Sequence, residues 1–421
     1  MKWRGEIEDD EKLKLAIDCR FTPNKGVARA AQTLVNGLVK INPNLQMILL
    51  VRNKHKEYCE YSNSQNIEQI DVNVGYFSFA DFYELPKKLE NMHIDLFIAT
   101  QFYVSPLMKV PTVRWVHDLW PITHPKFLPT KKEMIKEYGK ESIKVGKLFI
   151  EEFEKILNSA GPKKFDQSIH KIISSESSTF VHRSAVAAMG LCFHNSSRII
   201  VPSKFVASEA NFYFPGYTNK MKVLYNAVSG DFVNLNKNRE RYLYVQVGKW
   251  EKRKNILASI YVVDKLRKTK NIDAKLMLVG NENYRDYGNK ILKILKNPHY
   301  SNFVQHLGQI SDQELNEIYN RSTVLLFPSM NEGFGLPVIE AMATGLPVIS
   351  TNTAALPEIV NNSALLIDPN DLNEFYSAIK ILTFNDGLKR YLSRRGENRA
   401  KHFSELSMAK GFLKIISEKS H

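Results

Sequence analysis

The sequence predicts two α/β domains, each a doubly wound, Rossmann-like parallel sheet, facing each other across a cleft. Three observations lead there. Short apolar runs rich in β-branched residues alternate with longer stretches of helical periodicity, the pattern of strand–helix–strand units. These runs fall into two series separated by a polar break. The length of 421 residues suits two domains of roughly 200 residues better than one core.

The first series comprises residues 13–18, 47–51, 94–100, 112–117 and 198–201. The second comprises residues 242–248, 275–280, 303–307, 323–328, 347–351 and 365–368. Between them NLNKNRER, residues 234–241, has no apolar periodicity and reads as the linker. The expected domains are therefore 1–233 and 242–400, with both sets of strand carboxyl ends lining the cleft. From 126 to 190 the pattern changes: Met134, Tyr138, Val145, Phe149, Phe153, Ile156 and Leu157 recur at helical spacing among Lys and Glu residues. This reads as a helical insertion, either a solvated helix pair packed on the first domain or a basic, partly apolar arm for lipid or acceptor. The tail, 401–421, has helical spacing at Phe403, Leu406, Met408, Phe412 and Ile415.

A composition of 43% hydrophobic and 24% charged residues describes a globular chain, not a disordered, collagen-like or membrane-spanning one. The 58 Lys and Arg against 44 Asp and Glu give a formal charge of +14, which favours phosphate-bearing ligands, anionic membrane surfaces or nucleic acid. Nucleic acid is not expected as a partner, because the basic residues are scattered and no zinc-finger spacing, aromatic-rich basic strand or basic heptad occurs. Cys19, Cys59 and Cys192 are odd in number and widely separated, which suggests neither a disulfide framework nor a metal cluster. The start MKWRGEIEDDEK is acidic where a signal peptide is apolar, and no run of about 18 apolar residues follows. The expected location is cytoplasmic, with at most peripheral contact on the inner face of the membrane.

Chemistry concentrates in TVLLFPSMNEGFGLPVIEAMATGLPVIS. A strand runs into a turn, Gly333 to Gly335, and then into a helix with Pro337 in its first turn, where Pro is tolerated. Amide groups of Phe334 and Gly335, with Leu336 behind them, suit a diphosphate at the helix start. Glu332 before the loop and Glu340 one turn into the helix can accept from hydroxyl groups, or be ordinary surface acids. In VGKWEKRKN, Gly248, Lys249, Arg253 and Lys254 lie just past another strand end. Those cations can neutralise a diphosphate or form a plain basic turn. In the first half, IDCRFTPNKGVARAAQTLVNGL joins a strand to a helix through a loop ending at Gly26, with Arg29 on the helix. TVRWVHDLWPITHP ends a strand in His117 and Asp118, and Asp118 either orients the imidazole or caps the loop.

The segment EGFGLPVIEAMATGLPVI resembles the glutamate, seven residues, glutamate signature of family-4 retaining glycosyltransferases, the glycosyl transferases group 1, which have the GT-B fold. The resemblance continues through HLGQISDQELNEIYNRSTVLLFPS, LPEIV, ALLIDP and VGKWEKRKNI, and is weaker in the first domain. It implies that Glu332 binds hydroxyls of the transferred sugar and Glu340 the nucleotide ribose. It implies that Lys254 and Arg253 stabilise the leaving diphosphate. Some relatives carry Arg where this chain has Lys249, which leaves the division of that role between Lys249 and Arg253 open. His117 is expected beside the donor sugar. Where relatives have further glycines after Gly26, this chain has Val27 and Ala28. In relatives the final helix crosses back to the first domain; an ordinary second-domain helix fits this sequence equally.

The implied activity is metal-independent, cofactor-free, retaining transfer of a hexose from a sugar nucleotide to a glycan or lipid-linked glycan. The resemblance is to bacterial surface-polysaccharide enzymes, and the RKN form of the basic motif leans toward mannose from GDP-mannose. No paired aspartates stand at a strand end to hold a divalent ion. An epimerase or phosphorylase of the same fold, or a non-catalytic sugar-nucleotide-binding subunit, are the competing readings.

Overall fold

Continuous apolar runs such as Leu-Ala-Ile and Ile-Leu-Leu form strands buried on both faces, as all-parallel sheets require. The computed structural model describes residues 13–20, 26–52, 66–161, 163–282 and 286–418. The acidic leader, loop residues 21–25 before Gly26, Cys59, and Asn283 and Tyr284 of the GNENY loop lie outside the described residues. The chain divides into two units, Met1–Tyr225 with Met408–His421, and Asn226–Ser407.

Unit 1 holds β1 (Lys14–Asp18), β2 (Gln46–Val51), β3 (Ile67–Asp71), β4 (Leu96–Ala99), β5 (Thr112–Trp115), β6 (Arg198–Val201) and β7 (Met221–Val223). They form one sheet in the order β3-β2-β1-β4-β5-β6-β7, parallel throughout. Unit 2 holds β8 (Leu243–Val247), β9 (Lys275–Val279), β10 (Val304–Gly308), β11 (Val324–Leu326), β12 (Val348–Thr351) and β13 (Leu365–Ile367). Their order is β10-β9-β8-β11-β12-β13, again parallel. Strand order reverses at β1/β4 in one sheet and at β8/β11 in the other, and ligands of doubly wound sheets bind beyond the carboxyl ends at such points.

Three features differ from the sequence reading. Strands β3 and β7 were not expected: IEQID and MKV lie on sheet edges and are mostly half-buried, so neither shows an apolar run. The division falls at Tyr225–Asn226, ahead of residues 234–241. That polar stretch is stapled to unit 2: Asn234 Nδ2 donates to Glu397 at 2.7 Å, and Arg239 Nη1 donates to the Tyr319 carbonyl at 2.6 Å. Its polarity serves hydrogen bonding, which periodicity does not register.

The segment read as an insertion is the crossover from β5 to β6 and extends to Asn195. Val145, Phe149, Phe153 and Leu157 of the helix Glu141–Ser159 are buried in the core of the unit. The helix Phe180–Asn195 has twelve buried residues. A Cβ on Gly190 would stand 2.1 Å from the Phe153 ring, so the two helices cross closely. These helices build the domain rather than decorate it. Among the described residues, no helix is long and apolar enough to cross a membrane.

Candidate functional site

The exits of β8 and β11 bring together four of the expected residues. After β8 the backbone turns at Gly248, with φ +150°, and reaches a short helical turn, Lys252–Lys254. After β11 it runs through Ser329 to Glu332. The two segments are tied by main chain: Met330 N donates to the Arg253 carbonyl at 2.7 Å. Gln246 Nε2 donates to the Lys254 carbonyl at 2.7 Å, which fixes the turn to its own strand.

Three donors converge on one carboxylate oxygen. Lys254 Nζ lies 2.5 Å from Glu332 Oε1, Ser329 Oγ donates to it at 2.5 Å, and Arg253 Nη1 stands 3.2 Å away. Among the described residues these donors all meet Oε1, which leaves Oε2 as the oxygen for a hydroxyl donor. Lys254 and Glu332 are 8% and 9% exposed, so the pair is effectively out of water. Burial pushes the Glu332 carboxyl up, but the charges of Lys254 and Arg253 outweigh it and hold the group below its usual range. Burial, with the like charge of Arg253, pulls the Lys254 ammonium down, and Glu332 offsets part of that. Arg253 Nε also pairs with Glu251 at 2.8 Å. Lys249 is exposed. The arginine that joins the glutamate is thus Arg253.

The glycine loop has the expected geometry. Gly335 caps the helix Leu336–Ala343 in the left-handed region, φ +101°, and a Cβ there would meet Leu356 at 2.7 Å. Phe334 is buried edge-on to Phe403, centroids 5.5 Å apart. Leu336 is also buried. In the first turn of this helix Pro337 has no N–H and Val338 N donates to the Gly335 carbonyl at 3.0 Å, so amides for an anion come from the residues ahead of Pro337. Glu340 is 1% exposed and accepts from Tyr319 Oη at 3.2 Å, so it is not a surface acid.

In unit 1, His117 follows β5 and is partly buried. Its Nε2 lies 2.9 Å from the Thr100 carbonyl, and its ring stacks on Trp115 at 5.5 Å. Donation to a carbonyl places the proton on Nε2, so main chain orients the imidazole and Nδ1 is the acceptor. Burial pushes its pKa down to about 4, partly offset by the Thr100 contact. Gly26 is the first residue of the helix Gly26–Ile41.

Sequence reasoning missed Ser329, Glu251 and Tyr319. Glu251 carried a signal, an acid inside a basic turn. Ser329 and Tyr319 carried none, because their partners are distant in the chain or set by strand exit geometry.

Residues 230–399 match the family model described as glycosyl transferases group 1. They form a group 1 glycosyltransferase domain. The O-antigen chain mannosyltransferase RfbU of Salmonella typhimurium is 32% identical over 183 residues, 41% of this chain and 50% of that protein. The O-antigen chain mannosyltransferase B of Escherichia coli is 31% identical over 159 residues, 38% of this chain and 41% of that one. This chain spans about half the length of these curated relatives. HepE of Anabaena, solved with UDP and glucose, shares the fold with a TM-score of 0.66 at 13% identity, over 96% of this chain and 99% of that one. WaaG, a glycosyltransferase involved in lipopolysaccharide biosynthesis, does so with a TM-score of 0.64 at 15% identity, over 96% and 99%. The group 1 domain lies within a chain of GT-B fold, and it contains Lys254, Arg253, Glu332 and Glu340.

Proposed function

We propose that the protein is a retaining, metal-independent hexosyltransferase that moves mannose from GDP-mannose onto a glycan or lipid-linked glycan during surface-polysaccharide assembly in the cytoplasm. The observation that carries this reading is the convergence of Lys254, Arg253 and Ser329 on Glu332 at the exits of β8 and β11. Matches to two O-antigen mannosyltransferases support the mannosyl donor and the acceptor class. The UDP complex of HepE supports a sugar nucleotide as the donor class.

In this mechanism the diphosphate faces Lys254, Arg253 and the main-chain amides of Phe334 and Gly335 ahead of the helix Leu336–Ala343. Glu332 Oε2 accepts from a sugar hydroxyl and Glu340 from the ribose, while in unit 1 neutral His117 offers Nδ1 as an acceptor for a hydroxyl. The bond between the anomeric carbon and the phosphate oxygen breaks, the acceptor oxygen bonds to the same face, and its proton passes to the leaving phosphate. No protein nucleophile takes part. Fixed positive charge aimed at the departing phosphate stabilises the transition state without reorganisation. Two cations supply that charge, which is the ground for metal independence.

Turnover of GDP-mannose by Lys254→Ala falls by about 10²–10³, the usual loss on removing such a group. Because breaking a buried ion pair costs about 3–5 kcal/mol, thermal melting accompanies the assay and Glu332→Gln, which keeps the shape, is tested in parallel. Turnover near wild type in both variants sinks the assignment. Excess chelator leaves transfer unchanged, and loss of transfer refutes metal independence. The anomeric configuration of the product, read by NMR, tests retention.

A further inference from the structure

A cavity of about 460 Å³ lies at the amino ends of strands in the second sheet, whereas Lys254 and Glu332 follow the carboxyl ends. Its walls come from the segments entering the strands: Arg239 to Tyr242 before β8, Thr323 before β11, Gly345 and Pro347 before β12. The helices Leu372–Phe384 and Asp386–Ala400 supply the remaining wall. Sheets of this kind bind nucleotides at strand carboxyl ends, so a cavity at the amino ends is a separate place.

Its lining is positively charged. Arg239, Arg241, Lys389 and Arg390 face two carboxylates, Glu240 and Asp386. Both acids are paired, Glu240 with Arg321 Nε at 2.7 Å and Asp386 with Lys389 at 2.8 Å. Arg239 donates to the carbonyls of Tyr319, Asn320, Ser322 and Thr344, dipoles that orient a guanidinium without cancelling its charge. Arg241 sits 5.2 Å from the Tyr242 ring centroid. Tyr242 holds φ +66°, a strained backbone for a bulky residue of the kind that gathers at working sites. Its ring stands 6.2 Å from that of Phe384, which is 47% exposed.

We propose that this cavity binds a phosphate ester, with the anionic oxygens against Arg241 and Arg390 and the apolar remainder along Tyr242 and Phe384. The ester is either a soluble phosphorylated metabolite or a phospholipid headgroup, which present the same chemistry. The site is independent of the transfer reaction proposed above.

Full-length protein in a Lys254→Ala background, which removes one cation of the other site, is titrated with glycerol 3-phosphate. In a second arm it is co-sedimented with vesicles of phosphatidylglycerol and phosphatidylcholine. Arg241→Ala with Arg390→Ala removes two exposed cations of the cavity. Lys290→Ala with Lys293→Ala removes equal charge from the helix Asp286–Leu295 of the same unit. The cavity pair lowers binding at least about tenfold in one arm or both, and the control pair leaves it unchanged. Loss of glycerol 3-phosphate binding assigns a free ester; loss confined to vesicles assigns a headgroup. Arg390→Gln alone serves if the double variant melts early. No binding in either arm, a smaller loss, or an equal loss in the control overturns the proposal.

Discussion

At the scale of single residues, protonation decides what His117 can do. Its ordinary value of 6.5 is lowered to about 4 by burial, so the ring is neutral at physiological pH and acts through its lone pair. The same shift ties stability to pH. Between about pH 6.5 and 4 the unfolded chain binds a proton here that the folded chain does not, so stability falls as pH drops through that window. The steepest slope is about 1.4 kcal/mol per pH unit, and below about pH 4 the difference stays constant. Urea midpoints at about pH 7 and pH 4.5 should separate more for wild type than for His117→Gln; equal separations would show that His117 is not the buried group. The imidazole was legible in the sequence as a strand-end His beside Asp118. Its orientation by Thr100, 17 residues away, was not, because a carbonyl acceptor leaves no mark on residue identity.

At the scale of elements, close backbone approach holds the β8 exit in place. Gly280, after β9, has φ +131°, and a Cβ there would lie 2.4 Å from the Gly248 carbonyl oxygen. Gly280→Ala must push the turn that carries Arg253 and Lys254, at a cost of about 1–3 kcal/mol. Transfer is expected to fall at least about tenfold, since small misplacements of a positioning group cost up to 10²-fold. Gly139→Ala is the control, at φ +82° with nothing within 4 Å of its Cβ; transfer by this variant stays near wild type. Equal effects from the two glycines would remove close approach as the explanation. The motif VGKWEKRKN announced the turn, whereas the neighbour that shapes it belongs to a different strand–helix unit.

At the scale of the whole molecule, the chain leaves unit 1 at Tyr225 and returns to it at Met408. The returning helix is tied to unit 1 by Arg198 Nη2 donating to the Glu418 carbonyl at 2.7 Å and by Lys222 paired with Glu418 at 2.5 Å. A Cβ on Gly411 would meet Leu224 at 2.8 Å. Met408, Phe412, Ile415 and Ile416 are buried, each stabilising by about 1.5–3 kcal/mol. Their sum is on the order of a whole domain's stability. Truncation after Ser407 should therefore collapse hydrogen-exchange protection in unit 1 and leave it in unit 2. Retained protection in unit 1 would show that the helix is dispensable there.

The sequence by itself determined two parallel α/β units, the positions of eleven of their strands, and the residue types of the strand-exit site. Interior strands and glycine turns write themselves locally, as apolar runs and as positions that only glycine tolerates. Tertiary structure decided the half-buried edge strands, the place where the chain divides, and the core role of the β5–β6 crossover. It also decided which cations and hydroxyl group meet Glu332. Those depend on contacts between segments far apart in the chain, where burial and charge pairing arise only once the sheets have formed.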